Sequence, residues 1–324
     1  MITVRKMNLG SNKGYTWVDA RDVNREDLSV LTEEYMISSD LMSDILDQDE
    51  QSRVEKEDEY TAIIARVPLD DDDSSPIKQN SIPLGIILFP ETVVTICLGD
   101  SVVLEDFARK RFRQYPVQTR EGFVISILGR SALVFIRILK YINRQKETAE
   151  ERLKERVQNA ELLQMLEIQK SLVYLNTSIT SNEMLIEKLM KTPIFRLNSE
   201  DEQEFFEDVL IDNRQAIAMA QNYADTLVVT MDAYANVINN NMNNYMKRLT
   251  VFSLGMMFPT FITGFYGMNV ALPLHDWPWA WILLFSFCIG SALFGTWVFW
   301  DRKNKVAKWD EEDELKNKKR KKKS

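Results

Sequence analysis

Two stretches near the end of this 324-residue chain, Leu249 to His275 and Trp277 to Trp300, contain no Asp, Glu, Lys or Arg. A helix needs about 20 apolar residues to cross the hydrocarbon core of a bilayer. Both runs are long enough, and only a short polar stretch separates them. The chain as a whole is 27% charged, so its soluble-looking average belongs to the first 248 residues and to the tail. The expectation is a cytoplasmic body followed by two spans joined by a tight external turn. That turn, "GFYGMNVALP", puts a tyrosine, a glycine, a methionine and an asparagine between two greasy segments.

Charge supports this division. Residues 301–324 hold eleven Lys/Arg and six Asp/Glu, so the tail is +5 within a chain of net charge −8, leaving −13 for residues 1–300. An acidic body does not suit nucleic acid, whose binding needs Lys and Arg against phosphate; it suits cations. Lys247 and Arg248 precede the first run, the basic tail follows the second, and the connecting loop has only His275 and Asp276. The positive-inside rule therefore expects both termini in the cytoplasm and "YGMNVALPLHDW" outside. Trp277, Trp279 and Trp281 fit an outer aromatic belt, and Trp297 and Trp300 an inner one. The opening "MITVRKMNLG" lacks an apolar core of signal-peptide length. Cys97 and Cys288 have neither metal-site spacing nor a disulfide framework.

Residues 1–140 read as an α/β region. "YTWVDA" alternates like a strand, and "REDLSVLTEEY" and "SSDLMSDILDQDEQ" read as helices, the second capped by Ser39 or Asp40. "EYTAIIARVPL", "SIPLGIILFPE", "TVVTICLGD" and "SVVLEDF" read as β-rich runs, with an acidic loop at Asp70–Asp73 between the first two. From Gly122 to about Leu189 the spacing is helical, and Pro193 breaks it. A further helix starts near Ser199, where "SEDE" offers a serine cap and acids for the first turn. About 65 residues of unbroken helix would span roughly 100 Å, more than a compact body needs.

The first uncharged run is not uniformly apolar. Asp225, Asp232, Asn239 and Met246 step by seven, as do Asn236, Asn243, Thr250 and Met257. This face carries Asp and Asn below and Met and Thr above. Small polar residues serve helix contacts in lipid, and polar stripes within a span also turn toward a water-filled cavity. In the second case one stripe per chain cannot enclose a pore, so a symmetric ring is implied. Amide and hydroxyl oxygens suit a hard cation such as Mg²⁺ that keeps its waters, and Met257 would form an apolar constriction. Gly264 and Gly267 are expected to let the chain turn tightly.

Tyr266-Gly267-Met268-Asn269 at the end of "MKRLTVFSLGMMFPTFITGFYGMN", followed by a Trp-rich second run and a basic tail, resembles the CorA family of magnesium and divalent-cation transporters. The likeness extends to "WVDARDVNREDLSVLTEEY" and "SDILDQDEQSRVEKEDEYTAII" and covers nearly the whole chain, with the specific part in the C-terminal third. It implies an α+β cytoplasmic funnel domain, a long stalk and pore helix, two C-terminal transmembrane helices and a homopentameric channel in the cell membrane. The implied division is a funnel at 1–190, a stalk at 191–248, a first span at 249–266, an external loop at 267–278, a second span at 279–300 and a basic tail at 301–324. Gly267, Met268 and Asn269 would form the selectivity filter. Thr260, Met257, Leu249, Met246 and Asn243 would line the pore, with Asp232 as a lower acidic ring. Asp208 would bind a regulatory Mg²⁺ between subunits together with Asp70, or less directly Asp71; read from the residues alone, Asp70–Asp73 is an ordinary solvated loop. The tail is longer than the family's usual one and carries an acidic patch at Asp310–Glu314.

The implied activity is entry of Mg²⁺, with Co²⁺ or Ni²⁺ as further cargo, under control of internal Mg²⁺. One alternative is a zinc transporter of the same architecture; another is a membrane-tethered scaffold, which predicts a featureless first span. An enzyme is not expected: there is one histidine, no phosphate loop, no nucleotide-binding glycine pattern and no nucleophile elbow. No organic cofactor is expected. The absence of Cys and His from the stripe favours a hard ion.

Overall fold

The computed structural model describes residues 1–7, 14–69, 81–109, 117–155, 159–195, 200–269, 277–279 and 281–290. They fall into a first unit, Met1–Asp232, and a second that begins at Ala233.

The first unit is built on a six-stranded sheet. Its strands are β1 (Ile2–Met7), β2 (Tyr15–Arg21), β3 (Arg53–Lys56), β4 (Thr61–Pro68), β5 (Ser81–Leu88) and β6 (Thr92–Cys97), in the spatial order β1-β2-β6-β5-β4-β3. Only β2 and β6 run parallel; the other pairs are antiparallel. Every residue of β4 and β5 is buried, so these strands read as continuous apolar runs because both faces are covered.

The pleat divides the side chains between two cores. Tyr15, Trp17, Ile63, Ala65, Val67, Leu84, Ile86 and Val93 face α3 (Val102–Ala108), α4 (Arg120–Glu155), α5 (Asn159–Lys191) and the start of α6 (Glu200–Tyr266). Val18, Ala20, Ala62, Ile64, Ile87 and Ile96 face α1 (Arg25–Glu33) and α2 (Ser39–Ile45). The result is three layers with the sheet in the middle. Two glycines set the spacing between layers. A Cβ on Gly85 would lie 2.3 Å from Ile45 Cδ1, and one on Gly129 of α4 would lie 2.8 Å from Val209 Cγ2 of α6. Cys97 is buried in the α4-side core, and burial pushes its thiol up to about 11, so it acts there as a small apolar side chain.

The sequence expectations fare unevenly. "SVVLEDF" is a helix, α3, and not a strand. Ser101 caps it by accepting from Val103 N–H at 3.3 Å while its hydroxyl donates to Pro68 O at 2.8 Å. Burial of Val103, Leu104 and Phe107 on one side then overrides the β preference of the two valines. The cap of α2 is Ser38, one residue before the expected pair, accepting from Leu41 N–H at 3.2 Å. α2 also ends sooner than expected, since its buried positions stop at Ile45. The long helical stretch is two helices, α4 and α5, which pack on each other. A 3-10 turn is described at Pro193–Phe195, and the first turn of α6 carries Glu200, Asp201 and Glu202. Ser199 lies outside the described residues.

Candidate pore helix and its loop

α6 runs unbroken for 67 residues with Pro259 inside it. Its buried positions are Phe206, Val209, Asn213, Ala216, Ala220 and Leu227. They recur mostly every three or four residues, as one face of a helix requires. Beyond Leu227 no described side chain of α6 is buried.

The six expected pore residues lie in this uncovered part. Asp232, Asn243, Met246, Leu249, Met257 and Thr260 are all exposed. At 3.6 residues per turn they fall within one sector about 120° wide, and Asp232 is about 140° around the axis from Leu227. One chain thus lines them up along a single helix, which brings them onto one face but encloses nothing by itself.

Local hydrogen bonds determine what this face offers. The hydroxyls of Thr250 and Thr260 donate to Met246 O at 2.9 Å and Met256 O at 2.7 Å. Thr263 Oγ1 donates to Pro259 O at 3.0 Å. With their protons committed to the backbone, these oxygens keep lone pairs that can accept from water; Thr250 and Thr260 lie within the sector, and Thr263 lies about 40° outside it. Pro259 has no N–H to offer Gly255 four residues earlier.

α6 ends at Tyr266. Gly267 N–H donates to Thr263 O at 2.9 Å, and Met268 N–H to Phe265 O at 3.4 Å. A Cβ on Gly267 would come within 3.1 Å of the Thr263 carbonyl, a tight fit against backbone that favours glycine here. Gly264, expected at the turn, lies inside α6, and a Cβ added to it would meet nothing within 4 Å. Gly267, Met268 and Asn269 are exposed at the helix end. Trp277 and Trp279 are exposed, and a further helix, α7, is described from the exposed Trp281 to Gly290. His275, Trp297, Trp300 and the basic tail lie outside the described residues.

The expected regulatory acids are only partly within view. Asp70 and Asp71 lie outside the described residues. Asp208 is exposed on α6. Its neighbour one turn on, Asp212, has its carboxyl held above the usual range by burial and then by the charge of Asp208. A carboxylate held above its usual range by burial and by a neighbouring acid suits a divalent cation. The two acids are not a complete ligand set: among the described residues no group of three or more His, Cys, Asp or Glu comes together to hold a metal. The sequence expectations did not include Asp212, although its i, i+4 spacing from Asp208 was there to be found.

A family model described as "CorA-like Mg2+ transporter protein" matches residues 12–305. The chain is 27% identical over 288 residues to the cobalt/magnesium transport protein CorA of Methanocaldococcus jannaschii, covering 87% of this chain and 89% of that one. It is 22% identical over 275 residues to the protein of the same name from Thermotoga maritima, covering 82% and 76%. The complete structure of the CorA magnesium transporter from Methanocaldococcus jannaschii superposes with a TM-score of 0.76 at 24% identity, covering 92% of this chain and 96% of that one. At that identity the superposition speaks for the fold: an α+β sheet unit with long helices.

Proposed function

We propose, from the premise that this chain belongs to the CorA-like Mg2+ transporter family, that it is a membrane channel carrying Mg²⁺ into the cytoplasm as a ring of five copies. Co²⁺ and Ni²⁺ are further cargo. In this reading residues 1–190 form the funnel, 191–248 the stalk, 249–266 and 279–300 the spans, and 301–324 the cytoplasmic tail. Gly267, Met268 and Asn269 of each copy form the outer filter, where the Asn269 amide oxygen receives a cation through its water shell. Thr260 and Asn243 continue the polar path, Met257, Leu249 and Met246 form an apolar constriction that dewets when narrow, and Asp232 gives the inner mouth a negative ring. The membrane potential drives entry: two charges moving inward across 100 mV release about 4–5 kcal/mol.

The observation that carries this reading is the change along α6. Its buried face stops at Leu227, and past that point an Asp–Asn–Met–Thr sector runs exposed to the Gly-Met-Asn end. A tether would have no use for polar side chains held in one sector.

Control by internal Mg²⁺ follows from Asp208. A cation bridging it to Asp70 of an adjacent copy, with Asp212 adding charge, favours the closed ring. Losing the cation restores repulsion and shifts the population toward opening.

The test is cation influx into proteoliposomes holding an ion-sensitive dye, with and without an inside-negative potential. Wild-type protein should admit Mg²⁺ at a rate that grows with the potential. Asn269→Ala should abolish entry while the oligomer stays assembled; normal entry through that variant would overturn the filter assignment. Entry of Zn²⁺ without Mg²⁺, or entry following a pH gradient, would assign the chain a zinc-transporting role instead.

A further inference from the structure

The middle of α5 is unusually polar for a helix at the centre of a packed layer. Ser178, Ser181 and Asn182 are each at least nine-tenths buried, and each has a partner on the sheet side. Ser178 Oγ and Ser81 Oγ of β5 lie 2.7 Å apart, and Ser181 Oγ accepts from Ser52 N–H at 2.7 Å. The Asn182 amide grips the backbone of Arg66 in β4 twice: Oδ1 accepts from its N–H at 2.8 Å and Nδ2 donates to its carbonyl at 2.7 Å. Strand β3 pairs with β4 only as far as Ile64. Asn182 therefore takes the place a longer β3 would have filled beside Arg66.

The same segment holds α6 from its other side. Asn213, 1% exposed, donates from Nδ2 to Ile179 O at 2.9 Å. Arg214 spans two acids one turn apart, reaching Glu183 at 2.7 Å and Glu187 at 2.6 Å. Within ten residues, α5 fixes its register against β4 on one side and α6 on the other. The fixed points lie close to the proposed sensing acids in sequence: Arg66 is four residues before Asp70, and Asn213 directly follows Asp212.

We propose that the α5 segment Ser178–Glu187 is a polar clamp that locks α6 in register with β4, so that the sheet, α5 and the first half of α6 respond to the sensing acids as one body. Helices joined only by apolar packing slide over one another by about 1–2 Å in many conformational transitions. Here the same slide would strip partners from the buried amides of Asn182 and Asn213, and each would be left unpaired in a low-dielectric setting. The clamp converts a local change near Asp208 into movement of α6 without slippage. This inference rests on the Mg²⁺-sensing reading for its functional consequence, though not for the mechanical lock itself.

Arg214 is the place to test it, because its side chain is exposed enough for the fold to survive a charge reversal. Full-length protein is reconstituted, and Mg²⁺ influx is followed against Mg²⁺ on the cytoplasmic face. Amide exchange in residues 209–217 is measured on the same samples. Arg214→Glu should shift the half-closing Mg²⁺ concentration by about three- to tenfold and raise exchange in that stretch. Adding Glu183→Arg and Glu187→Arg should bring both readouts back to within about twofold of wild type. A closing curve for Arg214→Glu that coincides with wild type, or a reversal that restores neither readout, overturns the clamp. If wild-type influx itself ignores internal Mg²⁺, the sensing reading fails, and the exchange data alone decide the lock: unchanged exchange in Arg214→Glu rejects it, and raised exchange rescued by the reversal supports it.

Discussion

α4 and α6 are both long helices with apolar stretches of membrane-spanning length, yet the stretch in α4 is 78% buried within the protein and that in α6 0%. α4 lies against the sheet, where Phe123, Val124, Ile127 and Leu128 join the core made by Trp17, Phe107 and the strands. α6 behaves the same way at its start, through Phe206 and Val209. Past Leu227 none of its described side chains is buried, and Phe252, Met257 and Phe261 stand about two-thirds exposed. Apolar length alone thus fails to identify a span. What separates the two helices is whether a complementary apolar surface meets them in the same chain, because uncovered apolar surface on this scale calls for lipid or other copies of the chain.

The largest expected effect tests that contrast directly. Phe123 is fully buried, with ring centroids 5.2 Å from Trp17 and 5.3 Å from Phe107. Phe123→Ala should lower the stability of the sheet unit by about 3–5 kcal/mol, read by denaturant unfolding followed through tryptophan fluorescence. Phe261→Ala, on the uncovered part of α6, should move the same transition by less than about 0.5 kcal/mol. Equal effects would mean that this part of α6 is packed as closely as α4, by its own chain or by neighbouring copies.

A smaller effect sharpens the contrast at the point where the two helices meet. Gly129→Ala sets a methyl against Val209 and should cost about 1–3 kcal/mol. Val209→Ala in the same background should return part of that loss. If the double variant is no more stable than Gly129→Ala alone, then α4 and α6 do not owe their spacing to the glycine.

The smallest effect concerns the acids on the outer side of α6. The Asp212 carboxyl is raised in the folded protein by burial and by Asp208. The native state therefore holds this proton more firmly than the unfolded state, so the group's contribution to stability falls as pH rises through its folded pKa. Asp212→Asn should be more stable than wild type at neutral pH in the absence of divalent cations. That advantage should fade as pH drops through the carboxylate range or as Mg²⁺ is added. A constant difference across pH, measured by thermal unfolding, would remove the charge coupling between the two acids.

Much of the sheet was legible because its strands are either alternating, as in "YTWVDA", or wholly apolar and bounded by turn residues. The exceptions have physical causes. α3 carries valines that favour strands, but a serine cap and one-sided burial made it a helix. β1 and β3 could not be read because edge strands bury little: half of "ITVRKM" and most of "RVEK" is polar, and of the two strands only Met7 is buried. The candidate pore face was legible from its seven-residue steps, since a helix repeats its face at nearly that interval. The Asp208–Asp212 coupling was not, because it depends on how deeply Asp212 sits in the packing.

By itself, the sequence determined quantities that depend on chain order alone: two uncharged runs of bilayer length, an acidic body against a basic tail, a long helical stretch starting near Ser199, and a Gly-Met-Asn triplet within the first run. Tertiary structure decided which of two similar apolar helices is core and which is left uncovered. It also placed Asn182 and Asn213 in a buried path from β4 to α6, although in the sequence they are two ordinary asparagines 31 residues apart. The reason is that apolarity and helical period are local properties of the chain, whereas burial and hydrogen-bond partnership depend on which other surface arrives to meet them.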